Sequence, residues 1–101
     1  MIFHISTRES WKVARKDGVY RGDTLLSEGY IHCSKEEQVP GVFEHMFKGR
    51  RGLVLLCIDE RKVKAEIKWE SSGSGEVYPH IYGELNIDAV VKVTNPSLAE
   101  K

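Results

Sequence analysis

Leu53-Val54-Leu55-Leu56-Cys57-Ile58 is an uninterrupted apolar run rich in branched side chains. Such a run predicts a central β-strand covered on both faces, because a half-exposed strand would alternate with polar residues. Two segments before it carry apolar residues at helical spacing, Thr7 to Lys16 and Lys35 to Lys48. The pattern predicts an α+β domain in which two main helices pack on a mostly antiparallel sheet.

Four shorter segments are also predicted to form strands. Polar and apolar residues alternate along Ile2 to Ser6, Gly29 to Ser34 and Val63 to Glu70, and Ala89 to Val93 is the last predicted strand. Leu25 and Leu26 are predicted to anchor the chain before the second of these strands. The segment 77–82 is extended or irregular because Pro79 interrupts it. Residues 71–75 are all serine or glycine and are predicted to form a loop.

The composition suits a single globular domain over residues 1–101, with 41% hydrophobic and 30% charged residues. Fifteen basic residues balance fifteen acidic ones, so no overall field attracts nucleic acid or an anionic membrane. No segment approaches the ~20 apolar residues of a membrane span, and the first residues do not resemble a secretory signal. Cys33 and Cys57 lie in apolar runs without CxxC spacing. We therefore expect reduced thiols and a cytoplasmic location.

One pattern, H-x-S-x-x-E, occurs twice, at His4 to Glu9 and at His32 to Glu37, each time where a predicted strand meets a helix. Its Ser-x-x-Glu part is typical of a helix N-terminus capped by the serine, here Ser6 or Ser34, and capping alone would explain both serines. Alternation places each histidine on the same polar strand face as its serine, beside the positive end of a helix. Such an end favours phosphate or carboxylate.

A third polar segment, Tyr78 to Gly83, places His80 and Tyr82 together on one face if it is extended. An imidazole can act as a general acid, a general base, an anion donor or a metal ligand near neutral pH. We predict that the histidines of the three segments, His4, His32 and His80, line one pocket. His45 lies off the apolar stripe of its helix and is predicted to face solvent.

Glu70 completes the predicted catalytic set with His4, His32 and His80, because a carboxylate at a strand end can accept a ribose hydroxyl or orient a histidine. Neighbouring hydroxyl and aromatic side chains form the predicted ligand-binding set, which comprises Ser6, Tyr30, Ser34, Trp69 and Tyr82. The sequence lacks the P-loop, the dinucleotide-binding glycine motif, the nucleophile elbow and the common zinc motifs. The predicted site therefore rests on the histidine segments alone.

The chain resembles the small bacterial family called domain of unknown function 952 over nearly its whole length. The resemblance rests on GYIHCS at 29–34, KWE at 68–70, YPHIYG at 78–83, and the opening FHI with Trp11. The fold of this family is similar to that of the ADP-ribosyltransferases and RNA 2′-phosphotransferases, which bind NAD or a nucleotide phosphate in a cleft of a split β-sheet. The resemblance implies that His4 holds a ribose, that His32 and Ser34 form the second motif, and that Glu70 or His80 supplies the third.

Three functions stay open at this point. The first is a transferase that depends on NAD or on another phosphate-bearing nucleotide ligand. The second is a metal-binding domain in which His4, His32 and His80 supply three ligands and leave one position for water. The third is a non-catalytic module whose polar pocket binds a small anion or a partner peptide.

Overall fold

The structure is a computed structural model that describes residues 1–96. The strands in this part of the chain are β1 (Ile2–Thr7), β2 (Val19–Tyr20), β3 (Ile31–His32), β4 (Leu53–Ile58), β5 (Glu66–Ser71), β6 (Val77–Tyr82), β7 (Leu85–Asn86) and β8 (Val90–Thr94). The α-helices are α1 (Arg8–Asp17), α2 (Leu25–Glu28) and α3 (Val39–Met46). Short 3-10 turns lie at Glu36–Gln38, Glu60–Lys62 and Ile87–Ala89.

All strand pairs are antiparallel, which confirms the predicted α+β class with an antiparallel sheet. One three-stranded sheet has the order β1-β4-β8 and another has the order β3-β6-β5, while β2 pairs with β7. A single bridge joins the two larger sheets, because the N–H of Phe3 donates to the carbonyl of Ser34 (2.8 Å) and the N–H of Ser34 donates to the carbonyl of Phe3 (2.7 Å). The chain segment after β3 therefore belongs to both sheets.

The central strand β4 is buried at all six positions, as its sequence predicts. Its Val54, Leu56 and Ile58 join one core cluster, which α1 covers with Trp11 and Ala14. The opposite face of β4 joins a second, smaller cluster together with Ile5 and with Val39 from α3; its members from β4 are Leu53, Leu55 and Cys57. Apolar residues occupy both faces because each face of the strand meets a helix.

The second main helix is shorter than predicted. The sequence predicts a helix from Lys35 to Lys48, whereas the chain forms a 3-10 turn at Glu36–Gln38 and an α-helix only over Val39–Met46. Pro40 explains the late start, because proline lacks an N–H and clashes with the preceding turn, so it is tolerated at the first positions of a helix.

The predicted strand 29–34 is also shorter, and Ile31–His32 is its regular part. Gly29 is the left-handed residue that ends α2, with φ of 87°, so the chain cannot enter the strand before Tyr30. The prediction for the preceding leucines is half wrong. Leu25 packs against the first core cluster, but Leu26 is 95% exposed.

Neither serine of the doubled pattern caps a helix. Thr7 caps α1, since its Oγ1 accepts the N–H of Ser10 (3.0 Å), while Ser6 donates to the carbonyl of Thr7. At the second copy, Gln38 reaches back to the N–H of Lys35 (2.9 Å), and Ser34 forms the bridge to β1. At each copy the N-cap is the residue after the serine, Thr7 before α1 and Lys35 before the 3-10 turn.

Cys33 and Cys57 are buried free thiols in separate core clusters. Burial raises the pKa of both thiols, so the thiolate form is disfavoured. Within residues 1–96, no helix has the length and apolar character needed to cross a membrane.

Candidate functional site

A cleft of about 1170 Å³ lies where β1, β3, β6 and α3 meet. All the histidines of the chain line it: His4, His32, His45 and His80. Three of them are the predicted pocket residues, and the structure brings these three to one cavity. His45 is exposed, as expected, but it also forms part of the cleft wall on α3.

His4 has both ring nitrogens engaged within the protein. Its Nδ1–H donates to the carbonyl of His32 (2.5 Å), and its Nε2 accepts the hydroxyl of Tyr20 (2.8 Å). Burial lowers the pKa of His4, which keeps the ring neutral. The carbonyl of His32 can only accept a hydrogen bond, so the proton of the neutral ring is on Nδ1. Burial likewise raises the pKa of Tyr20 to about 12, so its hydroxyl stays a donor. His4 therefore ties β1, β2 and β3 together.

The predicted polar face of β1 is in fact a buried face. Ile2 and Ser6 share it with His4, and both are buried. The alternation in the sequence is correct, but the chain covers both faces of β1, one with the first core cluster and the other with the second. A histidine on such a face must have hydrogen-bond partners, and His4 has two.

His80 forms a different kind of arrangement, a carboxylate–imidazole pair. Its Nδ1–H donates to Oε1 of Glu70 (2.7 Å), and the same oxygen accepts the hydroxyl of Tyr82 (2.6 Å). The hydrogen bonds from Tyr82 and His80 lower the pKa of Glu70, while the bond to Glu70 raises the pKa of Tyr82 to about 12. Glu70 is thus ionised and Tyr82 protonated at neutral pH. The pair leaves Nε2 of His80 as the nitrogen that can exchange a proton.

Tyr30 and His32 stand beside this pair. The ring of Tyr30 stacks on His80, with centroids 4.2 Å apart and planes 20° apart, and the ring of His32 meets His80 edge-on at 5.1 Å. His32 lies directly opposite His80 in the β3–β6 pairing, and its Nε2 contacts Oε1 of Glu28 (3.0 Å). We call Tyr30, His32, Glu70, His80 and Tyr82 the imidazole cluster.

The charges along the cleft are mostly negative. Its acidic side chains are Asp23, Glu28, Glu37 and Glu76. Among the described residues 1–96, one lysine or arginine lines the cleft, and it is Arg50. Asp23 lies near enough to His4 to favour the protonated ring, although burial outweighs this effect. This balance is unfavourable for a small bare anion and favourable for a ligand that carries positive charge.

The predicted site residues fall into three groups. Most of them line the cleft: His4, Ser6, Tyr30, His32, Ser34 and His80. Glu70 and Tyr82 do not line the cleft themselves. Glu70 bonds Nδ1 of His80, and Tyr82 bonds Glu70. Trp69 is placed elsewhere, because it lies between Lys68 and Glu70 on β5 and so points to the opposite sheet face, where it is 47% exposed.

Several cleft residues were not predicted from the sequence. Tyr20 comes from the two-residue strand β2, and Glu28 comes from the four-residue helix α2. Elements this short have no readable periodicity, so no sequence signal placed these side chains near the histidines. Tyr78 also lines the cleft, and the alternation that placed His80 and Tyr82 on one face would have identified it.

The three-histidine metal site, one of the three functions that the sequence leaves open, has no support in the geometry. No three His, Cys, Asp or Glu side chains are arranged to hold a metal ion in the part of the chain that the structure describes. His4 has both nitrogens occupied, and Glu70 already holds one nitrogen of His80. The geometry favours hydrogen-bonding and proton-transfer chemistry over metal ligation.

A family model described as "Protein of unknown function (DUF952)" matches residues 5–93. The chain belongs to the DUF952 family. This confirms the resemblance predicted from the sequence motifs. The DUF952 match includes the whole imidazole cluster and begins one residue after His4.

The DUF952 fold is also found in solved structures of protein CC0527 from Caulobacter crescentus, a structural genomics target. Its crystal structure is 31% identical in sequence, with a TM-score of 0.85 over 92% of this chain and 82% of that chain. Its solution NMR structure is 32% identical, with a TM-score of 0.80 over 93% and 82%. No curated protein matches this sequence. These neighbours do not show the expected likeness to ADP-ribosyltransferases.

Proposed function

We propose that this DUF952 protein is a transferase that binds NAD in the cleft and passes its ADP-ribosyl group to a hydroxyl acceptor. The observation that carries the proposal is the bond of 2.7 Å between His80 and Glu70 at the cleft wall, beside the stacked ring of Tyr30. A carboxylate that orients an imidazole is a recurring arrangement for a general base, because it fixes the tautomer and strengthens the free nitrogen as an acceptor.

The charge of the cleft supports NAD over a nucleotide monophosphate. The nicotinamide ring of NAD is planar and positively charged, so it is attracted by the carboxylates and can stack on a tyrosine face. Glu28 and Asp23 lie near His32 and His4 respectively, which places negative charge at the imidazole end of the cleft. A ligand that carries negative charge alone would be repelled there.

The strand arrangement also supports the transferase reading. Two three-stranded sheets meet at the bridge between Phe3 and Ser34, and the cleft is lined by residues at this junction. A ligand in the cleft would therefore contact residues of both sheets.

The proposed reaction uses the cleft residues in distinct roles. The bond between C1′ of the ribose and the nicotinamide nitrogen breaks, and its electron pair leaves with nicotinamide, which becomes neutral. Positive charge develops on the ribose, and the carboxylate of Glu28 stabilises it. A hydroxyl oxygen of an alcohol or of water forms the new bond to C1′, and its proton passes to Nε2 of His80.

In this scheme Glu70, Tyr82 and His4 are positioning residues. Glu70 and Tyr82 hold His80 through its Nδ1 side, while His4 holds the backbone of His32 in place. Tyr30 supplies a ring face, and His32 and Ser34 offer polar groups at the junction of the sheets. Trp69 takes no part, because it lies on the other face of the sheet.

The test is to measure NAD binding and nicotinamide release for the unaltered protein, His80→Ala and two matched glutamate variants. Glu70→Gln removes the carboxylate behind His80, and Glu66→Gln changes an exposed glutamate on the same strand and the same face. We expect His80→Ala to lower the rate by roughly 10²–10⁴-fold, Glu70→Gln to lower it less, and Glu66→Gln to have no effect. Absence of NAD binding would refute the proposal. Binding without nicotinamide release would instead favour a non-catalytic binding module.

A further inference from the structure

The cleft continues well beyond the imidazole cluster, along strand β1. At His4 the strand contacts β3 through the carbonyl of His32, and at the far end the N–H of Arg8 donates to the carbonyl of Gly52 (2.6 Å). A strand rises about 3.3 Å per residue, so the distance from His4 to Thr7 is roughly 10 Å. Thr7 and the nearby Arg50 both line the cleft. The cleft is therefore long enough for a ligand with two parts.

The far part of the cleft differs in chemistry from the imidazole cluster. Its wall is formed by Val42, Met46, Phe47 and Arg50, which we call the α3 wall, and Phe3 and Ile5 of β1 line the cleft as well. Val42 and Phe47 are half-buried against the second core cluster, and Met46 is exposed. The guanidinium carbon of Arg50 lies 5.1 Å from the ring centroid of Phe47. An apolar surface with a stacked guanidinium at its end suits a flat base joined to a phosphate.

We propose that the α3 wall binds the ADP half of a dinucleotide, with the base against Met46 and Phe47 and the phosphates at Arg50. This inference rests on the proposed function, since it places the nicotinamide at the imidazole cluster. The volume of the cleft also supports the inference. At about 1170 Å³ it exceeds the about 300–1,000 Å³ that is usual for pockets of small ligands, so the cleft has room for both halves of a dinucleotide.

Charge complementarity fixes the orientation of the ligand. The cationic ring meets Glu28 at the imidazole end, and the anionic phosphates meet the guanidinium of Arg50 at the other. The reverse orientation would place the phosphates against Glu28 and Asp23 and leave Arg50 without an anion, so it is disfavoured.

The test compares NAD with nicotinamide riboside, which lacks the whole ADP half, by calorimetric titration at fixed salt. Arg50→Ala is the test variant and Arg51→Ala is its matched control, because Arg51 is exposed and does not line the cleft. The melting temperature of each variant is measured alongside to confirm folding. Met46→Ser provides an independent test of the base contact at an exposed position.

We expect the unaltered protein to bind NAD at least about tenfold more tightly than the riboside. Arg50→Ala should remove most of this difference, by about tenfold, without changing riboside binding, and Arg51→Ala should leave both affinities unchanged. Met46→Ser should weaken NAD a few-fold, again without affecting the riboside. Equal affinities for the two ligands, or equal losses for both in Arg50→Ala, would overturn the inference while leaving the proposed function standing. If neither ligand binds, both proposals fail.

Discussion

His4 and His80 line the same cleft, yet the protein uses their imidazoles in opposite ways. His4 has a carbonyl on one nitrogen and a phenol on the other, so its ring is a neutral crosslink between strands. His80 is held from one side by Glu70, and its other nitrogen can exchange a proton. The difference shows that two histidines in the same cleft can have different roles. The role of each imidazole depends on how many of its ring nitrogens are bonded to protein groups.

The largest expected effect is the difference in stability between variants that lack His4 and variants that lack His80. His4→Ala removes a buried ring and leaves the hydroxyl of Tyr20 and the carbonyl of His32 without their partner, so we expect it to lower the free energy of unfolding by about 2–4 kcal/mol. His80→Ala should cost about 1 kcal/mol, since Glu70 keeps its bond to Tyr82. Urea denaturation of both variants measures the difference. Equal losses would mean that His80 is as structural as His4.

The second largest effect is on the pH dependence of stability, to which buried His4 should contribute. Burial lowers the pKa of folded His4 below its ordinary value of 6.5, so the unfolded chain binds a proton at a pH where the native protein does not. The contribution of His4 is therefore complete above pH 6.5 and is lost as the pH falls below that value. His4→Gln should flatten this part of the stability curve, measured by denaturation between pH 5 and pH 8. An unchanged slope in the variant would show that another group titrates there.

Glu70 should affect the stability of the protein at lower pH than His4 does, because its carboxylate form is stabilised in the folded state. Its folded pKa is lowered by the hydrogen bonds from Tyr82 and His80. Its contribution is present above the ordinary value of 4.5 and is lost as the pH falls through the lower, folded value. Glu70→Gln should therefore reduce the loss of stability below pH 4.5, whereas Glu66→Gln should not. If both variants behave alike, Glu70 does not interact specifically with the imidazole cluster.

Much of the fold follows from the sequence, and the reason is visible in β4. Six consecutive apolar residues favour a strand covered on both faces, and β4 is buried at all six positions. The pairing of His80 and Tyr82 on one face also follows from simple alternation once 77–82 is a strand. Pro79 does not prevent this, because its carbonyl still accepts the N–H of Cys33 (3.0 Å) and so keeps β6 paired with the chain after β3.

The parts that sequence reasoning misses depend on long-range contacts. His4 looks polar along β1 because its partners, Tyr20 and the carbonyl of His32, come from elements 16 and 28 residues away. The two-residue strand β2 and the four-residue helix α2 have no pattern of their own, so their positions follow from the packing around them. Trp69 was predicted together with its neighbour Glu70, but adjacent residues on a strand point to opposite faces, and Trp69 does not line the cleft.

The smallest expected effect concerns Tyr82, whose hydroxyl donates to the same oxygen of Glu70 as His80 does. Tyr82→Phe removes the hydrogen bond of 2.6 Å to Oε1 of Glu70, the largest cause of the lowered pKa of that carboxyl. The pKa of Glu70 should therefore rise towards its ordinary value, but should stay below it because the bond from His80 remains. A titration of the side-chain carboxyl by carbon-detected NMR measures the change, with Tyr78→Phe as a matched tyrosine on the same strand face. A pKa that does not move in Tyr82→Phe would show that His80 alone holds Glu70. His80 would then differ from His4 only in having one ring partner, the carboxylate of Glu70, where His4 has two.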